Sequence, residues 1–234
     1  MKTLFLMLAF YVVSVFPAFP QSNADKTEPP RFVCGETFKD SRDEKTYNTV
    51  LIGSQCWMKE NLNIGSRIKG TQEQADNGII EKYCYDDLDE NCDVYGGIYQ
   101  WNEVMQYKTS PKEQGVCPTG WHIPDQEEWD TLVAFLGGDV AAGGKMKEAG
   151  STHYLTPNFG ATNKSGFTAL PGGYSYATGS YYFDKLHGVG YFWSSTTENE
   201  TDVWIRTLGS ANERIGRYLN YKTTGSSVRC LLSE

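Results

Sequence analysis

Histidine is scarce: the chain has three in 234 residues, standing apart at His122, His153 and His187. There is no His-x-x-x-His pair, no Gly-x-Ser-x-Gly elbow and no phosphate-binding glycine loop. The local signatures of zinc proteases, serine hydrolases and nucleotide enzymes are therefore missing. The cysteines include no Cys-x-x-Cys and no zinc-type spacing. Positive charge is also short, with 21 Lys and Arg against 29 Asp and Glu and a net charge of -8. An acidic surface argues against nucleic acid and against anionic lipid as partners. No repeat, coiled coil or low-complexity block is present. Beyond the first residues, no run is apolar enough to span a membrane.

The chain opens with Lys2, an apolar stretch from Leu4 to Phe16, and then small and polar residues. That order reads as a secretory signal peptide over residues 1–22, with cleavage expected between Ala18 and Ala24. The apolar run is shorter than the ~20 residues of a spanning helix. The first cysteine is Cys34, so a lipid-anchored lipoprotein is not expected. Residues 23–31, with Pro29-Pro30, read as a linker, and 32–234 as a single domain. Losing residues 1–22 removes Lys2 and no acid, which moves the net charge to -9. The expected location is secreted or cell surface. Six cysteines follow the leader: Cys34, Cys56, Cys84, Cys92, Cys117 and Cys230. An even number in an exported chain implies disulfides, and fifteen connectivities are open.

Tyr47–Ile52, a Gly53-Ser54 turn and a second strand through Trp57 predict a hairpin. Residues 65–82 read mainly as loop. Cys84 and Cys92 enclose an acidic turn. After Gly97 a short helix is expected, with Ile98, Trp101, Val104 and Met105 on one face. The clearest local signal is "CPTGWHIPDQEEWDTLVAFLGG". A strand ends at Pro124, Asp125 caps a helix, and Glu128 completes a capping box. Trp129, Leu132, Val133 and Leu136 then form one apolar stripe, and Gly137-Gly138 stops the helix. A second helix is expected from Asp139 to Lys147, weakened by Gly143 and Gly144. From Phe167 onward the pattern becomes short strands. Together these elements predict an α+β fold.

Among candidate sites, "PGGYSYATGSYYFD" at 171–184 has the composition of a recognition loop. A turn near Gly179 would bring Tyr174 and Tyr176 together with Tyr181 and Tyr182, anchored by Phe183 and Trp193. A ligand surface and a packed hairpin both fit. His122 reads as structural. Glu127 and Glu128 are explained by helix capping and the helix dipole, while a glycosidase carboxylate pair needs no fixed spacing and stays open. Asp87, Asp89, Asn91 and Asp93 alternate as at the start of an EF-hand loop. However, Cys92 and Ile98 replace the required glycine and glutamate. A solvated acidic turn is expected, with no metal or cofactor. Trp57, Trp101, Trp121, Trp129, Trp193 and Trp204 read as core. Arg206, Arg214, Arg217 and Arg229 read as solvent-facing or ion-paired.

The blocks "YNTVLIGSQCWMKENLN", "CYDDLDENCDVYGGIYQWNEVM", "GVCPTGWHIPDQEEWDTL", "GFTALPGGYSY", "GYFWSSTT" and "SSVRCLLSE" appear in that order. As a set spanning residues 32–234 they resemble the Fibrobacter succinogenes major paralogous domain. That resemblance implies a secreted or surface bacterial protein without enzymatic activity. The second half is similar to the C-type-lectin-like fold, in which an opening strand–helix unit lies beside the closing strand. This implies Cys117–Cys230, then Cys84–Cys92 as the local pair and Cys34–Cys56 as the remainder. It also implies short antiparallel strands, one or two central helices and an N-terminal hairpin. With all six cysteines paired, no thiol nucleophile or cysteine copper site remains. The sugar-binding Glu-Pro-Asn or Gln-Pro-Asp motif of calcium-dependent lectins is absent. The expected function is a binding or adhesion module for a glycan or a surface protein. A secreted polysaccharide hydrolase and a structural surface protein are the alternatives.

Overall fold

Alternating burial drives the first elements. The strands are β1 (Thr37–Lys39), β2 (Thr46–Ile52) and β3 (Gln55–Met58). In β2, Tyr47, Thr49 and Ile52 are buried while their neighbours are not. β2 and β3 form the expected hairpin, from Thr49↔Met58 to Ile52↔Gln55. The computed structural model describes residues 32–177 and 181–233, with the side chains of Ala177, Tyr181 and Tyr182 outside that description. The leader and linker expected over residues 1–31, and the turn near Gly179, lie outside the described residues.

The stretch from 65 to 82 is mostly loop, and its ends pair in parallel as β4 (Ser66–Arg67) and β5 (Glu81–Lys82). The acidic segment is not a plain turn. Tyr85–Asp87 forms a 3-10 turn and Asp89–Tyr95 the helix α1, with Cys92 and Tyr95 inward. The helix expected after Gly97 is shorter than its apolar stripe suggested. Ile98 bridges Tyr83, Tyr99–Gln100 is strand β6, and only Trp101–Val104 is helical, as α2. All four stripe residues are nonetheless buried.

β7 (Trp121–His122) leads into α3 (Gln126–Phe135). The capping box is present. The Glu128 amide donates to Asp125 Oδ1 at 2.8 Å, and the Asp125 amide donates to Glu128 Oε2 at 2.9 Å. Trp129, Leu132, Val133 and Leu136 are all buried. The second helix, α4, spans Asp139–Met146. A Cβ at Gly143 would lie 2.5 Å from the Arg214 backbone, so its helix-weakening glycine permits close packing on the following strands.

The later strands are β8 (Gly172–Ala177), β9 (Tyr181–Leu186), β10 (Val189–Thr197), β11 (Asp202–Gly209), β12 (Ile215–Tyr221), β13 (Gly225–Ser226) and β14 (Leu231–Leu232). One sheet runs β1-β2-β3-β14-β7. The other runs β12-β11-β10-β8-β13-β6, with β9 paired to β8. The core includes Trp57 and Leu231 from the first sheet, Trp129, Leu132 and Met146 from the helices, and Phe192, Leu208 and Ile215 from the second sheet. Trp57 meets Trp129 at 4.8 Å between ring centroids, and Phe167 bridges both rings. Burying each such ring contributes about 1.5–3 kcal/mol. Five of the six tryptophans are buried. Trp204 is half-buried, with the Arg217 guanidinium 4.5 Å over its ring.

Three disulfides staple the fold: Cys34–Cys56, Cys84–Cys92 and Cys117–Cys230. These are the pairs the resemblance implied. The architecture is α+β. Among the described residues no helix is long and apolar enough to cross a membrane.

Of the four arginines, Arg229 departs from the expectation of a solvent-facing or ion-paired side chain, while Arg206 keeps its ion pair in a buried site. Arg206 is buried, pairing with Asp130 and donating to Gln126 Oε1 at 2.8 Å. Arg229 is buried with no carboxylate contact among the described residues. Its guanidinium binds Asn61 Oδ1 at 2.7 Å and the carbonyls of Met58 and Phe167. Burial lowers its pKa to about 9.

Candidate ligand-binding face

The β8–β9 hairpin follows the alternation expected of an extended segment. Tyr174 opposes Asp184 and Tyr176 opposes Tyr182 in register. Ser175 turns into the protein and is buried, while Tyr174 and Tyr176 face the other way, half-buried, with rings 5.5 Å apart. Tyr174 also packs on Tyr191 of β10 at 4.8 Å. Burial is the main cause that raises the Tyr174 pKa, aided by Asp184. The same effect carries Tyr191 to about 12. Both hydroxyls are therefore neutral donors near pH 7.

The two expected anchors behave differently. Phe183 is half-buried and meets Tyr85 at 5.2 Å. Trp193 belongs to the core, donating its ring N–H to the Tyr99 carbonyl at 2.7 Å.

The sequence reading missed the rest of this face. In β10, Phe192 is buried, so Tyr191 takes the opposite side. In β12, Ile215 is buried, so Gly216 and Tyr218 take the side away from the helices. Gly216 is required there. A Cβ would sit 2.3 Å from Thr207 Oγ1 and 2.4 Å from Tyr218 Cε2, so the edge of the Tyr218 ring lies over the glycine. The result is a groove of about 830 Å³ lined in part by Tyr174, Tyr191, Thr207, Gly216, Tyr218 and Asn220. The signal was the alternation itself, inward Phe192 and Ile215 against outward Tyr191 and Tyr218.

A second polar cluster lies at the start of α3. His122 Nδ1 is 2.9 Å from Ser233 Oγ, and its Nε2 is 3.0 Å from Glu128 Oε1. Lys112 Nζ stands 3.4 Å from both Glu128 and Asp125. Burial acts to raise the Glu128 pKa, but His122, the Asp125 amide and Lys112 together hold it below the usual value. Glu128 therefore does more than cap α3: through His122 it ties the helix start to the chain end at Ser233. A cavity of about 500 Å³ borders these groups. Glu127 takes no part in the cluster.

The acidic residues do not converge. Asp87 accepts from the Gly70 amide, and Asp89 pairs with Arg67. Among the described residues no three His, Cys, Asp or Glu side chains are placed to hold a metal ion.

A model of the Fibrobacter succinogenes major domain matches residues 50–231. No curated protein and no solved structure matches the chain at a significant level.

Proposed function

The chain belongs to the Fibrobacter succinogenes major domain family, and from that premise we propose that it is an exported, non-enzymatic binding module of C-type-lectin-like architecture. Its ligand is a glycan or another surface protein, taken up on the tyrosine face. The observation that carries this reading is the groove in which Tyr174, Tyr191 and Tyr218 combine on one side of the second sheet. Half-exposed tyrosines over small residues give wide, rigid contact area at low entropic cost. Each ring adds a hydroxyl donor to an apolar face, and pyranose rings and protein surfaces both present that mixture.

The lectin-like assignment draws support from the placement of β14. It pairs with β7 through Leu231↔His122, and Cys117–Cys230 bridges the same two regions. An exported location draws support from the leader-like residues 1–22 and from three disulfides, which persist in oxidising compartments. For the hydrolase alternative the His122–Glu128 cluster is the candidate beside the second cavity, and there both carboxylate oxygens already serve structural partners.

The test is a glycan array probed with the mature domain and with its Tyr218→Ser variant, repeated on purified envelope proteins. Tyr218 is 59% exposed, so its replacement should alter stability by no more than about 0.5 kcal/mol. Loss of binding with an unchanged melting temperature supports the groove. Full binding by the variant places the ligand elsewhere.

A further inference from the structure

The groove has one border that recognition by tyrosines alone leaves unused. β12 ends the second sheet, and its one strand neighbour among the described residues is β11. Seven residues give an edge about 23 Å long. The ladder with β11 is regular through seven consecutive pairs, from Asp202↔Tyr221 to Leu208↔Ile215. Alternate residues of an edge strand direct both backbone groups outward. Among the described residues, the backbone from Ile215 to Leu219 bonds to β11 and to nothing else. The edge carries neither proline nor bulge, two of the usual protections against strand addition.

Its side chains suit a second strand. Tyr218 is 59% exposed on the tyrosine side, and Leu219 and Tyr221 are 45% and 63% exposed on the other. An added strand alternates its own side chains between those two sides.

Charge selects the occupant. The chain carries -8 overall, yet the segment from Arg214 to Lys222 holds two arginines and a lysine and no acid. The Arg214 side chain is exposed and has no partner among the described residues. Arg217 Nη1 stands 3.7 Å from Asp130 Oδ2 in a loose, half-exposed ion pair, with its guanidinium over the Trp204 ring. Among the described residues, Asp139 is the one carboxylate lining the groove. A second copy of this chain fits poorly. Antiparallel pairing about the strand midpoint, Tyr218, sets Arg214 of each copy against Lys222 of the other, and like charges directly opposite are unfavourable.

We infer that the free edge of β12 binds an acidic polypeptide segment in extended form, which adds to the second sheet as a strand and lays alternate side chains on the tyrosine face. This inference rests on that face being a recognition surface, and it names the ligand as polypeptide.

The experiment uses the mature protein and three probes. They are an acetylated Glu-Val-Glu-Val-Glu-Val-Glu peptide, its Lys-for-Glu counterpart, and polygalacturonate, which carries acid without an amide backbone. Binding and amide exchange are followed by NMR. The Glu peptide should bind saturably, more weakly as salt rises. It should also slow exchange at alternate amides between Ile215 and Tyr221 by about tenfold or more. Its backbone N-methylated form, which cannot donate to the edge, should bind about tenfold more weakly. So should the unmodified peptide with the Arg214→Glu/Arg217→Glu double variant. Equal binding of the Lys peptide, or binding without amide protection, overturns the inference. If polygalacturonate binds and neither peptide does, the strand inference fails while the groove remains a glycan site. If none of the probes binds and the glycan array is blank as well, the groove reading fails with it.

Discussion

Replacing Cys117 and Cys230 together with alanine removes the link that closes the longest loop in the protein. The two residues are 113 apart in sequence, against 22 for Cys34–Cys56 and 8 for Cys84–Cys92. In the chain-entropy model, cross-linking lowers the entropy of the unfolded chain by about 2.1 + 1.5R ln n cal/mol/K. At 25 °C this gives about 5 kcal/mol for the long loop, about 3.4 for the middle one and about 2.5 for the short one. Cys117 and Cys230 are also fully buried, so the alanines forfeit sulfur packing at the junction of β7 and β14. Total stabilities of domains this size run to about 5–15 kcal/mol, so the loss is a large share. Urea denaturation of three double variants, each lacking one bridge, measures the order directly. The expected ranking is 117–230 most costly, then 34–56, then 84–92. If the short Cys84–Cys92 bridge proves the most costly, loop closure is not what these bridges supply, and enthalpic packing around α1 must replace it.

Two further outcomes follow from the packing. Asp125→Ala should cost about 0.5–2 kcal/mol and leave ligand binding intact, because Asp125 serves the Glu128 amide away from the tyrosine face; thermal melts beside a binding assay decide, and lost binding without lost stability makes Asp125 functional instead. Stability should also rise between pH 8 and 10. Burial lowers Lys82 and Lys147 to about 8 from 10.5 in the native state, so over that window the unfolded chain holds protons that the folded one has released. Above pH 10 the sign reverses, because unfolded tyrosines ionise while buried Tyr99 and Tyr191 keep their protons. Denaturant midpoints that fall steadily from pH 7 upward would contradict both lysine assignments.

How much was legible in the sequence depended on the range of the interactions involved. The capping box at Asp125 and Glu128 was readable because both partners lie within one helical turn. The β2–β3 hairpin was readable for the same reason. Arg229 was not. In "SSVRCLLSE" it reads as one outward position of a strand, but residues 225–231 are buried at every position. The segment passes from β13 in the second sheet to β14 in the first, so both of its sides are covered. Alternation predicts exposure only where one face of a strand meets water, and no pattern inside the segment reveals the crossing. The cysteine pairing was equally non-local, and spacing alone left it open.

The same range limit explains the candidate site. Tyr174 and Tyr176 stood out because they crowd one short, small-residue segment. Tyr191 and Tyr218 stand in separate strands, one beside Phe192 and Trp193 and the other between Arg217 and Leu219, and carried no such signal, although simple alternation assigns each to its face. What unites them is strand order. β8 lies parallel beside β10 through Gly190↔Gly173, and β10–β11–β12 follow as an antiparallel run. That order brings Tyr191 against Tyr174 and carries Tyr218 to the rim, where the missing Cβ of Gly216 leaves room for its ring. It also leaves β12 at the margin, so Tyr218 and Tyr221, the most exposed tyrosines among the described residues, sit on the strand whose backbone is still free to pair. A partner that engages the rings therefore meets the open edge as well, and a partner with an amide backbone can satisfy both.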